Sequence, residues 1–164
     1  MRQLAKNFWT FRGDFKVAKV INVGTHMSLA RRANGKFVLL DSYDLDESDR
    51  KSLLSLTDGG QAIEAIINVH PFHTLHCSAV HKLLPHARLI GTGRHHTKAP
   101  ELPWEPGLIE DPATQAEFAA DLDFSVPEGV NLVCADENVH FSSVLVRHKE
   151  SGIVHVDDTI MVLA

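Results

Sequence analysis

The sequence is short of the residues that would place it in several large classes. Cysteine occurs only at Cys77 and Cys134 in 164 residues. Two thiols cannot build a disulfide framework, and they suit a reducing compartment. No apolar run approaches the ~18 residues of a membrane span. The N-terminal stretch "MRQLAKNFWTFRGDF" starts basic but has no apolar core, so no signal peptide is expected and the expected location is the cytoplasm. Lysine and arginine never form a block. Arg31-Arg32 is the densest basic spot, and the formal net charge is −5, so neither nucleic acid nor a membrane surface is an expected partner. There is no G-x-S-x-G elbow and no glycine-rich phosphate loop, because "GTGRHH" lacks the third glycine. Internal repeats and low-complexity tracts are absent as well.

What is present is an ordinary globular composition, 44% hydrophobic and 23% charged, with eleven histidines as its unusual component. The length predicts one domain over residues 1–164, able to bury a sizeable core. "FKVAKVINV" alternates at strand period. "HMSLARRANGKFVLLDSY" predicts a hairpin about the two-residue turn Asn34-Gly35, with "FVLL" buried on both faces and ending at Asp41. "DLDESDRKSLLSL" predicts a helix whose first turns are acidic, closed by Asp58-Gly59-Gly60. "AIEAIINV" reads as a buried strand, "LHCSAVHKLLPH" as a short helix and "ARLIGT" as a third strand. The order β-α-β-α-β over Phe37 to Thr92 implies parallel strands with right-handed crossovers.

Residues Gly93 to Gly107 hold three prolines and the adjacent His95 and His96, and are expected to be a long loop. Asp111-Pro112 is a helix start leading into "ATQAEFAADL". Strands return in "LDFSV" and "VNLVCA", and "FSSVLVRH" is expected to pair with "GIVHVDDTIMVL" around "KESG". The fold class is therefore α/β (α+β), with mixed sheets and helices outside.

The densest chemistry is "NVHPFHTLHCSAVH". His70, His73 and His76 follow a buried strand at a spacing of three. Ligands in α/β folds gather beyond the carboxyl ends of strands, and two or three imidazoles with a carboxylate suit zinc or iron(II). On a helix neighbouring pairs of these could share a metal; in a turn the spacing decides nothing. Structural histidines are the competing reading. Further on, His140 stands just before a strand, and Asp157 and Asp158 close an apolar strand, as Asp41 closes "FVLL". Adjacent carboxylates there are costly unless exposed, paired or bound to a cation. His155 alternates with two valines and is expected on a different face from Asp158. Cys77 reads as a buried structural cysteine.

Taken together, "GKFVLLD", "AIINVH", the histidine cluster, "HFSS" and "HVDDTI" resemble, in this order, the metallo-β-lactamase-like superfamily. That resemblance implies an αββα sandwich with metals at one edge between the two sheets. It implies that Asp41 matches the aspartate before the first motif and orients a ligand histidine, and that His70 opens the H-x-H-x-D-H motif. It also implies that His140 matches a later histidine ligand and Asp158 the metal-bridging aspartate, with Asp157 where glycine is usual. The motif is altered: Phe72, Thr74 and Leu75 stand at its second histidine, aspartate and last histidine, and His73 and His76 are each one residue late. The sequence stops a few residues after Asp158, which suggests a short member lacking the C-terminal part, a fragment, or a site completed by a partner subunit.

The expected function is a metal-dependent hydrolase. One or two zinc or iron ions would be held by His70, His73 or His76, His140 and Asp158, with Asp158 and Asp41 in catalytic roles. Residues 93–107, with His95, His96 and Trp104, would shape a pocket for a small-molecule ester, thioester or phosphodiester. Two alternatives stay open: a catalytically degenerate binding or assembly module without metal, and a single-metal site with no hydrolytic role. A truncated sandwich exposes apolar sheet, so a homo-oligomer is expected.

Overall fold

The structure is a computed structural model that describes residues 1–14, 16–17, 21–22, 24–129, 131–133, 136 and 142–157. Among them, six strands form a mixed sheet in the order β1-β2-β5-β6-β7-β8. These are β1 (Arg2–Ala5), β2 (Phe8–Gly13), β5 (Thr25–Arg31), β6 (Phe37–Leu40), β7 (Ile63–Ile67) and β8 (Arg88–Ile90). The strands β3 (Lys16–Val17) and β4 (Ile21–Asn22) form a small antiparallel pair, and they are the described part of "FKVAKVINV". A second antiparallel sheet has the order β11-β10-β9, from β9 (Leu122–Ser125), β10 (Leu145–His148) and β11 (Val154–His155).

The expected β-α-β-α-β unit is present. β6, β7 and β8 run parallel, linked by α1 (Glu47–Leu56) and α2 (Cys77–Leu83). Asp46 caps α1, its side chain accepting from the Asp49 N–H at 2.8 Å, and Glu47 and Asp49 place negative charge in the first turn. The β5–β6 hairpin forms around Asn34-Gly35, but its loop runs over residues 32–36, with Gly35 at φ 85°. The turn dipeptide was legible; its loop length was not.

Both faces of the central strands are buried, which is why "FVLL" and "AII" carry no polar alternation. Phe37, Leu39, Ile63 and Ile66 share one cluster with Leu53 of α1 and with Val80 and Leu84 at α2. Val38, Leu40, Ala65 and Ile67 share another with Leu122, Val144 and Val146 of the second sheet region. Helices, sheet and sheet therefore stack as layers, and each buried leucine or isoleucine contributes about 1.5–3 kcal/mol.

Two expectations need correction. Residues Gly93 to Lys98 are a helix, α3, rather than part of a long loop. The three prolines all fall after it, and the His95 ring accepts from the Thr92 N–H at 3.1 Å, closing the first turn. The described part of "VNLVCA", residues 131–133, is not strand. No helix among the described residues is long and apolar enough to cross a membrane.

Candidate functional site

The parallel strands β6, β7 and β8 all end at one edge of the mixed sheet, and the histidine segment follows β7 there. Asp41 comes first after β6, at φ 61°, a left-handed conformation that aspartate tolerates better than most residues. The turn brings its carboxylate to the backbone that follows β7. Oδ1 accepts from the backbone N–H groups of Val69 at 2.8 Å and His70 at 3.3 Å, and Oδ2 lies 2.9 Å from His155 Nε2. A carboxylate only accepts, so His155 donates from Nε2, and its Nδ1 sits 2.9 Å from the Ser28 hydroxyl. Burial alone would raise the Asp41 carboxyl. The His155 hydrogen bond, the charges of His155 and His73 and the Val69 N–H outweigh it and hold the group well below the usual carboxylate range.

Asp41 thus touches two histidines in different ways. Its imidazole partner is His155, brought from 114 residues away on β11, while His70 is held through its backbone. His155 is buried between the two sheets. Its ring stands 4.7 Å from that of His26, whose pKa is lowered to about 4 by burial and then by His155.

His70 is fully buried, and its ring stacks on that of His73 at 4.0 Å. His73 Nδ1 lies 2.6 Å from Asp157 Oδ2, with the histidine one-third exposed and the aspartate nearly buried. Burial pushes the Asp157 carboxyl up to about 6, against the pull of the His73 contact. Asp157 is thus the carboxylate that meets the His73 side chain, where Asp41 meets the His70 backbone. The sequence singled it out only as the neighbour of Asp158, and the cost of a carboxylate on a buried strand was the signal available.

His76 takes a different place. It precedes α2 and meets Tyr43 edge-on at 5.8 Å, and burial lowers its pKa. Cys77 is buried as expected, its thiol 3.4 Å from Asn68 Oδ1, and burial pushes it up to about 12, which removes it as a nucleophile. His95 lies fully buried in α3, with its pKa lowered to about 4 by burial while the Asp41 charge and the His73 carbonyl oppose the shift. His96 stacks on Trp104 at 5.8 Å. Gly91 permits this packing, since a Cβ there would stand 2.8 Å from His95 Cβ and 2.9 Å from the Trp104 ring.

The metal expectation meets this geometry as follows. Phe72, Thr74 and Leu75 occupy three motif positions with side chains that are poor metal donors, and Leu75 is 71% exposed. Among the described residues, no three His, Cys, Asp or Glu side chains are grouped so as to hold a metal ion. His140 and Asp158, the other two expected ligands, lie outside the described residues. The described residues alone do not fit the metal centre that the resemblance implies.

No protein-family model matches the sequence, and no curated protein does. Solved structures do match. A metallo-β-lactamase from Hirschia baltica aligns at a TM-score of 0.63 and 19% identity, over 93% of this chain and 67% of its own. One from Erythrobacter litoralis, with β-mercaptoethanol in its active site, aligns at 0.64 and 17%, over the same shares. FIM-1 from Pseudomonas aeruginosa, in its mono-zinc form, aligns at 0.63 and 14%, over 93% and 66%. The chain spans about two thirds of the length of these lactamases.

Proposed function

We propose, from the metallo-β-lactamase-like fold of this chain, that it is a hydrolase working where β6, β7 and β8 end, with His73 and Asp157 as the pair that handles the proton. The observation that carries this reading is the 2.6 Å contact between His73 Nδ1 and Asp157 Oδ2, beside His70 and above Asp41. Burying this many imidazoles and carboxylates together costs stability that a purely structural edge has no reason to bear. A carboxylate against Nδ1 orients the ring, and the proton transfer is assigned to Nε2. In the proposed reaction a water oxygen bonds to the carbonyl or phosphoryl centre of an ester, thioester or phosphodiester. Its proton passes to His73 Nε2 and is returned to the leaving oxygen or sulfur. A zinc or iron ion at this edge requires His140 and Asp158 to complete a ligand set, and metal content decides that part.

The protein, purified without a histidine tag, is expected to hydrolyse at least one of p-nitrophenyl acetate, an acyl thioester and bis(p-nitrophenyl) phosphate. His73→Ala and Asp157→Ala should lower kcat/KM by about 10²-fold or more, the usual range for a lost general base. Rates in wild type no greater than in buffer, with and without added zinc or iron(II), overturn the reading. So does an unchanged rate in His73→Ala. Metal analysis of wild type and His140→Ala tests the cofactor separately. The second reading, a degenerate binding or assembly module, is favoured by Phe72, Thr74 and Leu75 at motif positions, and it gains from the first of those null results.

A further inference from the structure

His70, His73 and His76 all lie on one stretch of chain, residues 68–77, which runs from the end of β7 to the first residue of α2. Asn68 opens this stretch and Cys77 closes it, and both are fully buried. Their side chains meet, with Cys77 Sγ 3.4 Å from Asn68 Oδ1. A third buried group joins them. The Ser42 hydroxyl donates to the same oxygen at 2.7 Å, and Ser42 directly follows Asp41. Asn68 is also tied to β8. Its backbone N–H donates to the Ile90 carbonyl at 2.8 Å, and its Nδ2 reaches that carbonyl at 3.4 Å. One side-chain amide therefore links the ends of β6, β7 and β8 to the start of α2.

A buried amide is costly unless its groups are satisfied, and this one is satisfied by the elements that carry the histidine segment. Apolar packing would hold the same elements together, but hydrogen bonds also fix direction and distance. The clasp reaches the proposed chemistry on two sides. Cys77 Sγ lies 3.4 Å from the His73 carbonyl oxygen as well, so the thiol bears on the backbone of the residue assigned the proton transfer. Ser42 holds the chain just after Asp41, whose φ of 61° is an uncommon conformation that needs support from its surroundings. Asp41 Oδ1 in turn accepts from the N–H of Val69, the neighbour of Asn68.

We infer that Asn68, acting through Ser42 and Cys77, is the positioning residue of this edge. It sets His73 and the Asp41 turn relative to one another from inside the protein, where it cannot touch a substrate. The inference rests on the hydrolase reading for its effect on rate, whereas its effect on the His73 ring is independent of turnover. Cys77 thereby serves as a hydrogen-bond donor rather than a nucleophile.

The test compares Asn68→Ala, Cys77→Ala and Cys77→Ser with a control, Thr57→Ala. The Thr57 hydroxyl is equally buried and donates to the Leu53 carbonyl at 2.7 Å, at the end of α1 that leads into the start of β7. The readouts are the His70 and His73 ring signals in long-range ¹H–¹⁵N NMR spectra, and kcat and KM scaled to folded protein. Asn68→Ala and Cys77→Ala should shift the His73 signals and lower kcat about tenfold or more, with KM within about twofold of wild type. Cys77→Ser returns the donor and should recover most of both. Thr57→Ala should lower the melting midpoint and leave both readouts unchanged, as a merely structural role would. His73 signals as in wild type in Asn68→Ala and Cys77→Ala overturn the inference, and so does a Cys77→Ser variant no better than Cys77→Ala. If Asn68→Ala does not fold, the two Cys77 variants decide alone. Shifted His73 signals in a protein without hydrolysis leave the clasp standing and remove the hydrolase reading. Unshifted signals beside hydrolysis that depends on His73 do the reverse.

Discussion

The two ends of the mixed sheet bury charge in opposite ways. Where β6 and β7 begin, Arg32 is surrounded by acceptors. Its Nε donates to Asp121 at 2.8 Å, one terminal nitrogen to Glu64, and the other to the Glu117 carbonyl at 3.0 Å. The guanidinium also lies over Phe118 at 5.0 Å, and Asp121 accepts from the Ala33 N–H. Opposite permanent charges meet there, and the Asp121 carboxyl is held below its usual range despite burial. Where the same strands end, imidazoles meet carboxylates. The Asp157 carboxyl rises to about 6 while His26 and His95 fall to about 4. One end pairs permanent charges, and the other sets imidazoles against carboxylates. The second arrangement is the one that chemistry needs.

The comparison breaks most visibly at the locked end. Arg32→Ala removes every partner at once and leaves Glu64 and Asp121 facing each other, with the Asp121 side chain 10% exposed. Loss of one partner from a buried ion pair costs about 3–5 kcal/mol, and the partial exposure of Glu64 places this site near 3. Urea denaturation should show that loss as a lower midpoint with unchanged slope. Hydrolysis, scaled to folded protein, should be unaffected, because the change lies at the far end of the sheet.

Acidification sharpens the comparison from the other side. A histidine whose pKa is depressed on folding contributes stability that is full above the unfolded value of 6.5 and is lost as pH falls through the folded value of about 4. His26 and His95 both act in this direction. Asp157 opposes them: raised from 3.8 to about 6, it favours the folded state increasingly as pH falls between those values. Two groups against one leave a net loss on the order of 2 kcal/mol between about pH 7.5 and about pH 5. Chemical denaturation across that range checks it. Arg32→Ala should show the same loss from its lower baseline, since His26, His95 and Asp157 keep their surroundings at the opposite end.

The sequence showed the frame of the fold because apolar runs bounded by turn residues carry their own signal. "FVLL", "AII" and "RLI" became β6, β7 and β8, and their carboxyl ends marked the edge that holds the cluster. β1 and β2 were missed. β1 is largely exposed, so its pairing rests on backbone hydrogen bonds that leave no residue pattern, although Asn7 at φ 62° between the two strands was a usable turn signal. α3 was hidden by prolines that lie beyond it. At the site, the residue types were legible and the pairs were not. His73 meets Asp157, and His155 meets Asp41, across sequence separations that only the packing of the two sheets can close. A spacing of three in "HPFHTLH" says nothing about which ring turns inward.

That last point has the smallest expected effect and the cleanest outcome. His73 and His76 are equivalent by sequence spacing, yet one faces Asp157 and the other packs edge-on against Tyr43. An aromatic edge contact of this kind is worth about 0.5–1.5 kcal/mol, less where the ring is half exposed, so His76→Ala should cost at most about 1 kcal/mol. It should leave hydrolysis and metal content as in wild type. His73→Ala should lose hydrolysis with a similarly small stability cost, since the pair it breaks is one-third exposed on the histidine side. Melting midpoints and kcat/KM for the two variants, measured side by side, separate the roles. Equal losses of activity would return His76 to the site and show that the spacing of three is itself functional.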